Sequence, residues 1–370
     1  MTSSDGPPTG PARIAVVGTG MIGTSIAMAA RRAGIAVRGF DADAEILARA
    51  AVHGGFEATD RIEGAVVDAE LVVVCTPSDA IPGVVAAVLE AAPTSVVTDA
   101  GSVKADVVER VTRLSGTGAA RFVGGHPMGG SERSGPDGAA PSVVDGIVWA
   151  VTPTPATTPE ATELLQGFVH ALGSRPVVLS PERHDRLVAI VSHLPQVAST
   201  VLMGLAAAEE ADEPELLLLA AGGFRDLTRL AASSPTLWSD ILTANRAAIV
   251  EAIDLYVDRL NEMRALVDQD RSEAVERAFA QAKAARLTLA AKPLVRSGVA
   301  VLQVPIPDRP GALAELTAAV GEAEVNIEDL QIVHSPEGGR GLVHLTVAAS
   351  AAEAASGTLD GRGFEPTRIA

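Results

Sequence analysis

Apolar positions follow different rhythms along this chain, and the changes of rhythm mark its parts. Up to residue 180, short runs of β-branched apolar residues alternate with longer Ala-rich stretches. The runs 14–17, 35–40, 71–75, 95–99, 121–123, 147–151 and 176–179 read as strands. They lack an inside/outside alternation, which is how a strand covered on both faces reads. The stretches 26–32, 43–52, 80–91, 104–115 and 159–172 read as helices between them. That alternation predicts an α/β domain over 11–180. From 181 strand signals become few. Segments 181–210, 213–232, 235–264 and 268–289 read as helices, giving an all-α domain over 181–293 that ends at Lys292-Pro293. Its apolar run 215–221 suits a deeply buried helical core or a subunit interface. Period two then returns. Strand 298–305, the turn Asp308-Arg309-Pro310-Gly311, helix 312–323, strands 325–334 and 340–348, helix 350–358 and strand 364–369 predict a ferredoxin-like βαββαβ module over 298–370.

The first strand runs directly into Gly18-Thr19-Gly20-Met21-Ile22-Gly23. Gly18 permits a tight strand-to-helix turn, Gly20 lets backbone approach a pyrophosphate, and Gly23 lets helix pack closely on strand. The helix that follows aims its free N–H groups at the phosphates, and Met21 and Ile22, between the glycines, are counted with the cofactor loop. Asp41 ends the next strand, where an acid takes the ribose hydroxyls. A carboxylate there repels a 2′-phosphate, so the expected cofactor is NAD, with Arg38 near enough to moderate the preference. Thr76 and Pro77 end the strand 71–75 and are expected to line the same cleft, because open α/β sheets bind ligands at strand C-termini.

Composition narrows the partners. The chain has 46 acidic against 29 basic residues, a net charge of −17, which argues against nucleic acid and anionic membrane. An anionic substrate then needs a local basic pocket. With 3% aromatic residues among 47% hydrophobic ones, the cores must be built mainly from Ala, Val and Leu. No apolar run approaches a membrane span by this reading. Residues 1–10 are polar and rich in Pro and Gly without signal-peptide character, so they read as a disordered leader and the chain as cytoplasmic. Cys75, the single cysteine, reads as a small buried hydrophobe.

Candidate chemistry clusters near strand ends and in the helical region. His126 lies between glycines and Pro127 and reads as a loop residue at a strand terminus, suited to a general base or hydrogen-bond acceptor. A histidine facing water is the alternative. His184 and His193 are nine residues apart, on opposite faces of a continuous helix unless Pro195 breaks it. A shared metal is therefore not expected, and no His or Cys cluster suggests one elsewhere. His193 is favoured as pocket-facing and His184 as structural. Arg225 and Arg229, at i and i+4, would share a helix face as a carboxylate site. A surface pair of Asp226 with Arg229 is the alternative. Trp149, Trp238 and Tyr256 read as core.

The motifs GTGMIG (18–23), DAGSVK (99–104), GGHPMGGSERSG (124–135), VSHLP (191–195) and GGFRDLTRLAASSPTLW (222–238) occur in an order that resembles the prephenate/arogenate dehydrogenases of tyrosine biosynthesis. The resemblance implies a Rossmann domain, a helical domain that forms a homodimer, and a site between them. It implies NAD-dependent oxidative decarboxylation of prephenate, with arogenate as the alternative substrate. By motif match His126 accepts the hydrogen bond of the substrate's C4 hydroxyl, and Ser102 orients His126 or that hydroxyl. Arg229 pairs with a carboxylate and His193 holds the substrate. Glu132 gates access, and Arg225, Asp226 and Gly222 shape the pocket. Gly129 and Gln196 depart from the family, standing where Ala and a second His are usual.

Asp308, Pro310, Gly311, Ala312 and Leu313, with Asn326 and Ile327, resemble an ACT domain. That implies tyrosine as a feedback ligand or a purely dimerising module. A 2-hydroxyacid dehydrogenase with an ACT tail is disfavoured by a glycine loop as early as residue 18. A non-catalytic sensor of NAD or tyrosine need not keep His126, Ser102 and Arg229 together.

Overall fold

A computed structural model describes residues 10–129, 135–291, 299–307, 309–334 and 340–369. Apart from Gly10, the expected leader lies outside them. The first part opens with β1 (Arg13–Val17), α1 (Met21–Arg32), β2 (Ala36–Phe40), α2 (Ala44–Gly54), β3 (Glu57–Ala58), α3 (Ile62–Val66) and β4 (Leu71–Val74). It continues through α4 (Ile81–Ala91), β5 (Val96–Asp99), α5 (Ala105–Ser115), β6 (Phe122–Pro127), β7 (Val148–Thr152), α6 (Pro159–Ala171) and β8 (Arg175–Val178). The eight strands form one sheet in the order β3-β2-β1-β4-β5-β6-β7-β8. Pairing is parallel from β3 to β6, antiparallel between β6 and β7, and parallel again between β7 and β8. The chain builds outward from β1 to β3 and then crosses back to lay β4 against the other side of β1. That reversal opens a crevice at the C-terminal ends of β1 and β4, where such sheets bind ligands.

Burial explains the unalternating strands. Leu71, Val72, Val73 and Val74 are all fully buried, as are Ile14, Ala15 and Val16. Each larger side chain of this set contributes roughly 2 kcal/mol by leaving water. Trp149 is fully buried as expected and meets Phe168 edge-on, with ring centroids 6.3 Å apart. The sequence reading missed β3, which has two exposed residues and no apolar run to announce it.

The helical region departs more from expectation. It comprises α7 (Pro181–Val188), α8 (Leu194–Glu209), α9 (Gly222–Thr228), α10 (Pro235–Ala244) and α11 (Arg246–Asp268), followed by α12 (Ser272–Ala291). Ser180 caps α7 through the Arg183 N–H, with Pro181 in the first turn. A π-helical segment, Ala189–His193, joins α7 to α8. Pro195 has no N–H to offer and its ring crowds the preceding turn, which the wider π turn relieves. The expected helix 213–232 is instead a 3-10 turn at Leu217–Leu219, the short α9 and a second 3-10 turn at Arg229–Ala232. Pro214 and the Gly222-Gly223 pair break the helical run. The expected helix 235–264 is interrupted at Asn245, which is buried and turned inward.

Leu218 and Leu219 are 83% and 81% exposed, so the run 215–221 is not a buried core within this chain. Tyr256 is exposed as well. The run 181–209 corrects another expectation. Among the described residues it is the one helical stretch long and apolar enough, by length and composition, to cross a membrane. Its first turns bury His184 and Asp185, and Val191, Val201 and Leu205 point outward. We read it as the central helix of the folded helical region.

Contacts divide the chain at Asp270/Arg271. The division places α12 with the C-terminal unit rather than with the helices before it. That unit continues with β9 (Val299–Pro307), α13 (Ala312–Glu322), β10 (Ile327–His334), β11 (Arg340–Ala348), α14 (Ala352–Gly361) and β12 (Thr367–Arg368). Its four strands are antiparallel in the order β10-β11-β9-β12, the βαββαβ arrangement read from the sequence. Leu302, Val304, Leu316, Leu345 and Leu359 form its core. Gly311 precedes α13 at φ +89°, a left-handed position that a side chain rarely adopts.

Candidate active site

The glycine loop is shaped for a dinucleotide. A Cβ on Gly18 would stand 2.7 Å from the Cys75 backbone, and one on Gly23 would stand 2.0 Å from the Gly18 carbonyl oxygen. Both must be glycine for β1, α1 and β4 to pack. Gly20 has no atom within 4 Å of a Cβ position, so its open side is available for a phosphate to approach backbone. Met21 and Ile22 begin α1 beside it. At the end of β2, Asp41 accepts hydrogen bonds from the Thr19 N–H at 2.6 Å and the Asp43 N–H at 3.0 Å. Thr76 keeps a buried hydroxyl without a partner in this crevice, beside the exposed Pro77. An open glycine, an orphaned hydroxyl and a fixed acid fit the diphosphate and ribose of NAD. Arg38 is held by the Glu57 carboxylate at 3.2 Å and the Val67 carbonyl at 3.1 Å, so it is already engaged. Burial pushes the Cys75 thiol far up, which fits the inert role expected for it.

His126 is not on a loop. It is a residue of β6, paired with Ala150 of β7. The preceding residue is clamped on both backbone groups. Gly125 donates its N–H to Asp99 at 3.1 Å, and its carbonyl accepts from Lys104 at 2.8 Å. Asp99 and Lys104 are fully buried and paired with each other. This Asp–Lys clamp fixes the strand that carries His126. Such a pair adds little net stability, but either charge alone would be strongly unfavourable there.

The His126 ring is held from the helical region. Its Nδ1 lies 2.9 Å from Nε2 of His184, and the rings meet edge-on. His184 Nδ1 lies 2.8 Å from Asp185 Oδ1. Asp185 in turn accepts from the Lys104 and Ala105 N–H groups, both at 2.8 Å, at the N-terminus of α5. The sequence reading assigned His184 a structural place and overlooked Asp185; both stand directly behind His126. Burial holds the His126 imidazole well below its ordinary value, helped by His184, Lys104 and His193. At neutral pH it is therefore an uncharged acceptor.

His193 belongs to the same cluster. The π segment turns less per residue than an α-helix and so rotates His193 away from the face opposite His184. Burial lowers its pKa to about 4, with Asp185 raising it and His184 lowering it further. Asn245 donates to the Asp185 carbonyl at 2.9 Å and lies 3.2 Å from His193 Nδ1. Trp238, expected in the core, is half-buried and sits edge-on to His193 at 5.9 Å.

The remaining expected residues are placed as follows. Ser102 lies half-buried just past β5, along the sheet edge that carries His126. The ring nitrogen partner of His126 is His184 rather than Ser102. Arg225 and Asp226 are exposed on α9, with Gly222 at its start, whereas Arg229 begins a 3-10 turn. Arg225 lies within α9 and Arg229 caps its C-terminal end in helical backbone, where the 3-10 turn starts. Gln196 anchors the Arg229 segment, donating to the Leu230 carbonyl at 2.7 Å and accepting from Ser233 at 3.3 Å. Glu132 lies outside the described residues. No group of three or more metal-ligating side chains occurs among the described residues.

Residues 26–178 match the family described as prephenate dehydrogenase, nucleotide-binding domain, and residues 180–281 match prephenate dehydrogenase, dimerization domain. Prephenate dehydrogenase of Bacillus subtilis (strain 168) is 31% identical over 345 residues, spanning 90% of this chain and 91% of that protein. Cyclohexadienyl dehydrogenase of Zymomonas mobilis is 33% identical over 75% of this chain and 95% of its own length. Among solved structures, prephenate dehydrogenase from A. aeolicus in complex with hydroxyphenyl propionate and NAD+ is similar at a TM-score of 0.69 and 28% identity, covering 75% of this chain and 98% of that one. Synechocystis arogenate dehydrogenase is similar at 0.67 and 30%, covering 74% and 98%.

Proposed function

The chain belongs to the prephenate dehydrogenase family, and from that membership we propose the chemistry of its site. It is an NAD-dependent oxidoreductase that decarboxylates prephenate oxidatively to 4-hydroxyphenylpyruvate. Prephenate is a cyclohexadienol with a ring carboxylate and a keto-acid side chain. The glycine loop with Asp41 and Thr76 would hold NAD, which when bound would supply the acceptor for the hydride that leaves C4. His126 accepts the hydrogen bond of the C4 hydroxyl as that carbon becomes carbonyl-like. It stabilises the developing positive charge and can hand the proton back as the ring aromatises. The C1–carboxylate bond breaks, CO₂ departs, and its electron pair completes the aromatic ring.

The observation that carries this reading is one hydrogen-bonded cluster holding two imidazoles, His126 against His184 at 2.9 Å and His193 against Asn245 at 3.2 Å, with Asp185 bonded to both His184 and Asn245. Asn245 offers an N–H to His193 Nδ1, which leaves His193 Nε2 protonated as a donor toward a substrate oxygen. His126 faces the hydroxyl as an acceptor. Arg229 binds a substrate carboxylate, Ser102 orients the hydroxyl, and Arg225, Asp226 and Gly222 shape the wall. Glu132 gates entry.

The apolar surface of the helical region, including Val201, Leu205, Leu218 and Leu219, supports a homodimer in which a second copy covers it. The C-terminal unit is an ACT domain in this reading, supported by its βαββαβ topology and by Pro310-Gly311 leading into Ala312 and Leu313 of α13. Asn326 and Ile327 open β10 on the same module, and Asp308 lies outside the described residues. An alignment covering 90% of the chain also reaches past residue 281, where the family match ends. Tyrosine is the ligand expected there. A cytoplasmic location belongs to the same reading.

The deciding assay follows NADH absorbance with NAD and either prephenate or arogenate, with and without tyrosine. Turnover of prephenate well above arogenate is expected, with inhibition by tyrosine. Turnover of arogenate alone would transfer the assignment to the amino substrate, and turnover of neither would remove it.

A further inference from the structure

We propose that His184 and Asp185 are positioning residues that hold His126 with its proton on Nδ1 and so leave the Nε2 lone pair for the substrate. With His184 uncharged the chain of hydrogen bonds permits one assignment of protons, whereas a doubly protonated His184 would donate from Nε2 and reverse it. Asp185 is an acceptor on both oxygens, since the Lys104 and Ala105 N–H groups each point at one of them at 2.8 Å. An oxygen that already accepts from backbone can only accept from His184, so His184 Nδ1 carries the proton at 2.8 Å. A neutral His184 then has a bare Nε2. That atom lies 2.9 Å from His126 Nδ1, which must donate to it. Neutral His126 consequently has a bare Nε2, the acceptor the C4 hydroxyl requires.

The relay is built in rather than incidental. His184 is 1% and Asp185 5% exposed, so water cannot replace either partner. The carboxylate is tied to the first residues of α5, where the free N–H groups of a helix favour an anion. The same α5 start carries Lys104, which clamps Gly125 beside His126. Ring and backbone of His126 are thus referenced to one helix terminus. Without the relay, the His126 proton would distribute between both nitrogens, and the fraction with Nε2 protonated could not accept from the hydroxyl.

The inference rests on the reaction assigned above, and two readouts separate its failure from failure of that reading. The first needs no turnover. Long-range nitrogen–proton correlation spectra of the full chain at neutral pH report which ring nitrogen of each histidine is protonated, with the His126 signals assigned by their loss in His126→Asn. Protonation at Nδ1 is expected, and protonation at Nε2 overturns the proposal. The second is kinetic. His184→Leu is expected to lower kcat by about 100-fold or more while KM for NAD and for prephenate stay within about twofold. His184→Gln, whose side-chain oxygen can accept from His126 Nδ1, is expected to recover most of that loss. A folded His184→Leu enzyme with kcat within about twofold of the parent overturns the proposal. If His184→Leu does not fold, the tautomer of the parent protein still decides. A parent protein with Nδ1-protonated His126 that turns over neither prephenate nor arogenate would leave the relay standing and remove the assigned reaction.

Discussion

Asn245 Nδ2 lies 3.2 Å from His193 Nδ1 and 2.9 Å from the Asp185 carbonyl, so one amide sets His193 and ties it to the residue behind His126. The amide oxygen cannot face the Asp185 carbonyl, which fixes which end of Asn245 meets each partner. Asn245→Asp reverses the arrangement. A carboxylate beside Nδ1 draws the His193 proton to that nitrogen and strips the donor from Nε2. KM for prephenate is expected to rise about tenfold or more, the cost of one unmade hydrogen bond to a charged group, with KM for NAD little changed. Steady-state kinetics with each substrate varied in turn would check this; an unchanged prephenate KM removes His193 from the substrate contacts.

His126 and Arg229 are separable by kinetics. His126→Asn keeps a polar side chain of similar reach but loses the basic ring nitrogen, so kcat should fall by about 100-fold or more while NAD affinity holds. Arg229→Ala should raise the prephenate KM strongly with a smaller change in kcat. Equal losses of kcat and NAD affinity in the first variant, or a constant KM in the second, contradict the assigned roles.

The buried imidazoles make stability depend on pH in a defined direction. Burial holds His193 at about 4 in the folded chain, against an ordinary 6.5 once unfolded. Between those values the unfolded state binds the additional proton, so stability rises with pH across the window. The contribution is complete above 6.5 and lost as pH falls toward 4, amounting to roughly 3 kcal/mol. His126 acts in the same sense. Urea unfolding at steps from pH 7 down to pH 4 should therefore show a falling free energy, with a shallower fall in His193→Gln. Equal slopes in the two proteins contradict a neutral, buried His193.

Lys104→Met would leave the Asp99 carboxylate fully buried beside no cation and free the Gly125 carbonyl. The expected loss is about 3–5 kcal/mol of unfolding free energy, and kcat should fall with it because Gly125 precedes His126. Removing Asp99 as well is no remedy, since the Gly101 and Gly125 N–H groups lose their acceptor. Chemical denaturation of the single variant checks the figure; a loss under about 1 kcal/mol would mean the pair does not clamp the strand.

How far the sequence spoke follows from which interactions are local. β1, the glycines and Asp41 were legible because turn, helix and acid follow one another within one unit. The βαββαβ order was legible from period two alone. The His126 relay was not, because His184 reaches His126 across 58 residues. One signal is a histidine next to an aspartate in the helix that starts at Ser180-Pro181. Lys104 carried another, as one of three lysines in a chain that otherwise uses arginine. Helical periodicity placed His184 and His193 on opposite faces, and only the π turn corrects that. The leucines of segment 213–232 satisfy a helical pattern while Pro214 and Gly222-Gly223 interrupt the backbone, so periodicity alone overstates the helix there.

In the proposed reading Asp41 sets the choice between NAD and its 2′-phosphorylated form. Its carboxylate is oriented by the Thr19 N–H at 2.6 Å and the Asp43 N–H at 3.0 Å, so it stands fixed at the end of β2 facing the glycine loop. There it would accept from ribose hydroxyls and oppose a phosphate. Arg38, the cation that could offset this, is engaged by Glu57 and the Val67 carbonyl. Asp41→Ser should therefore raise KM for NAD by about tenfold and lower the NAD-to-NADP ratio of kcat/KM by at least as much. Adding Glu57→Gln releases Arg38 from its ion pair and should raise NADP use further without restoring NAD. Parallel titrations of both cofactors at saturating prephenate measure the ratio. If Asp41→Ser leaves it unchanged, the discrimination resides elsewhere, and the carboxylate serves only to shape the loop.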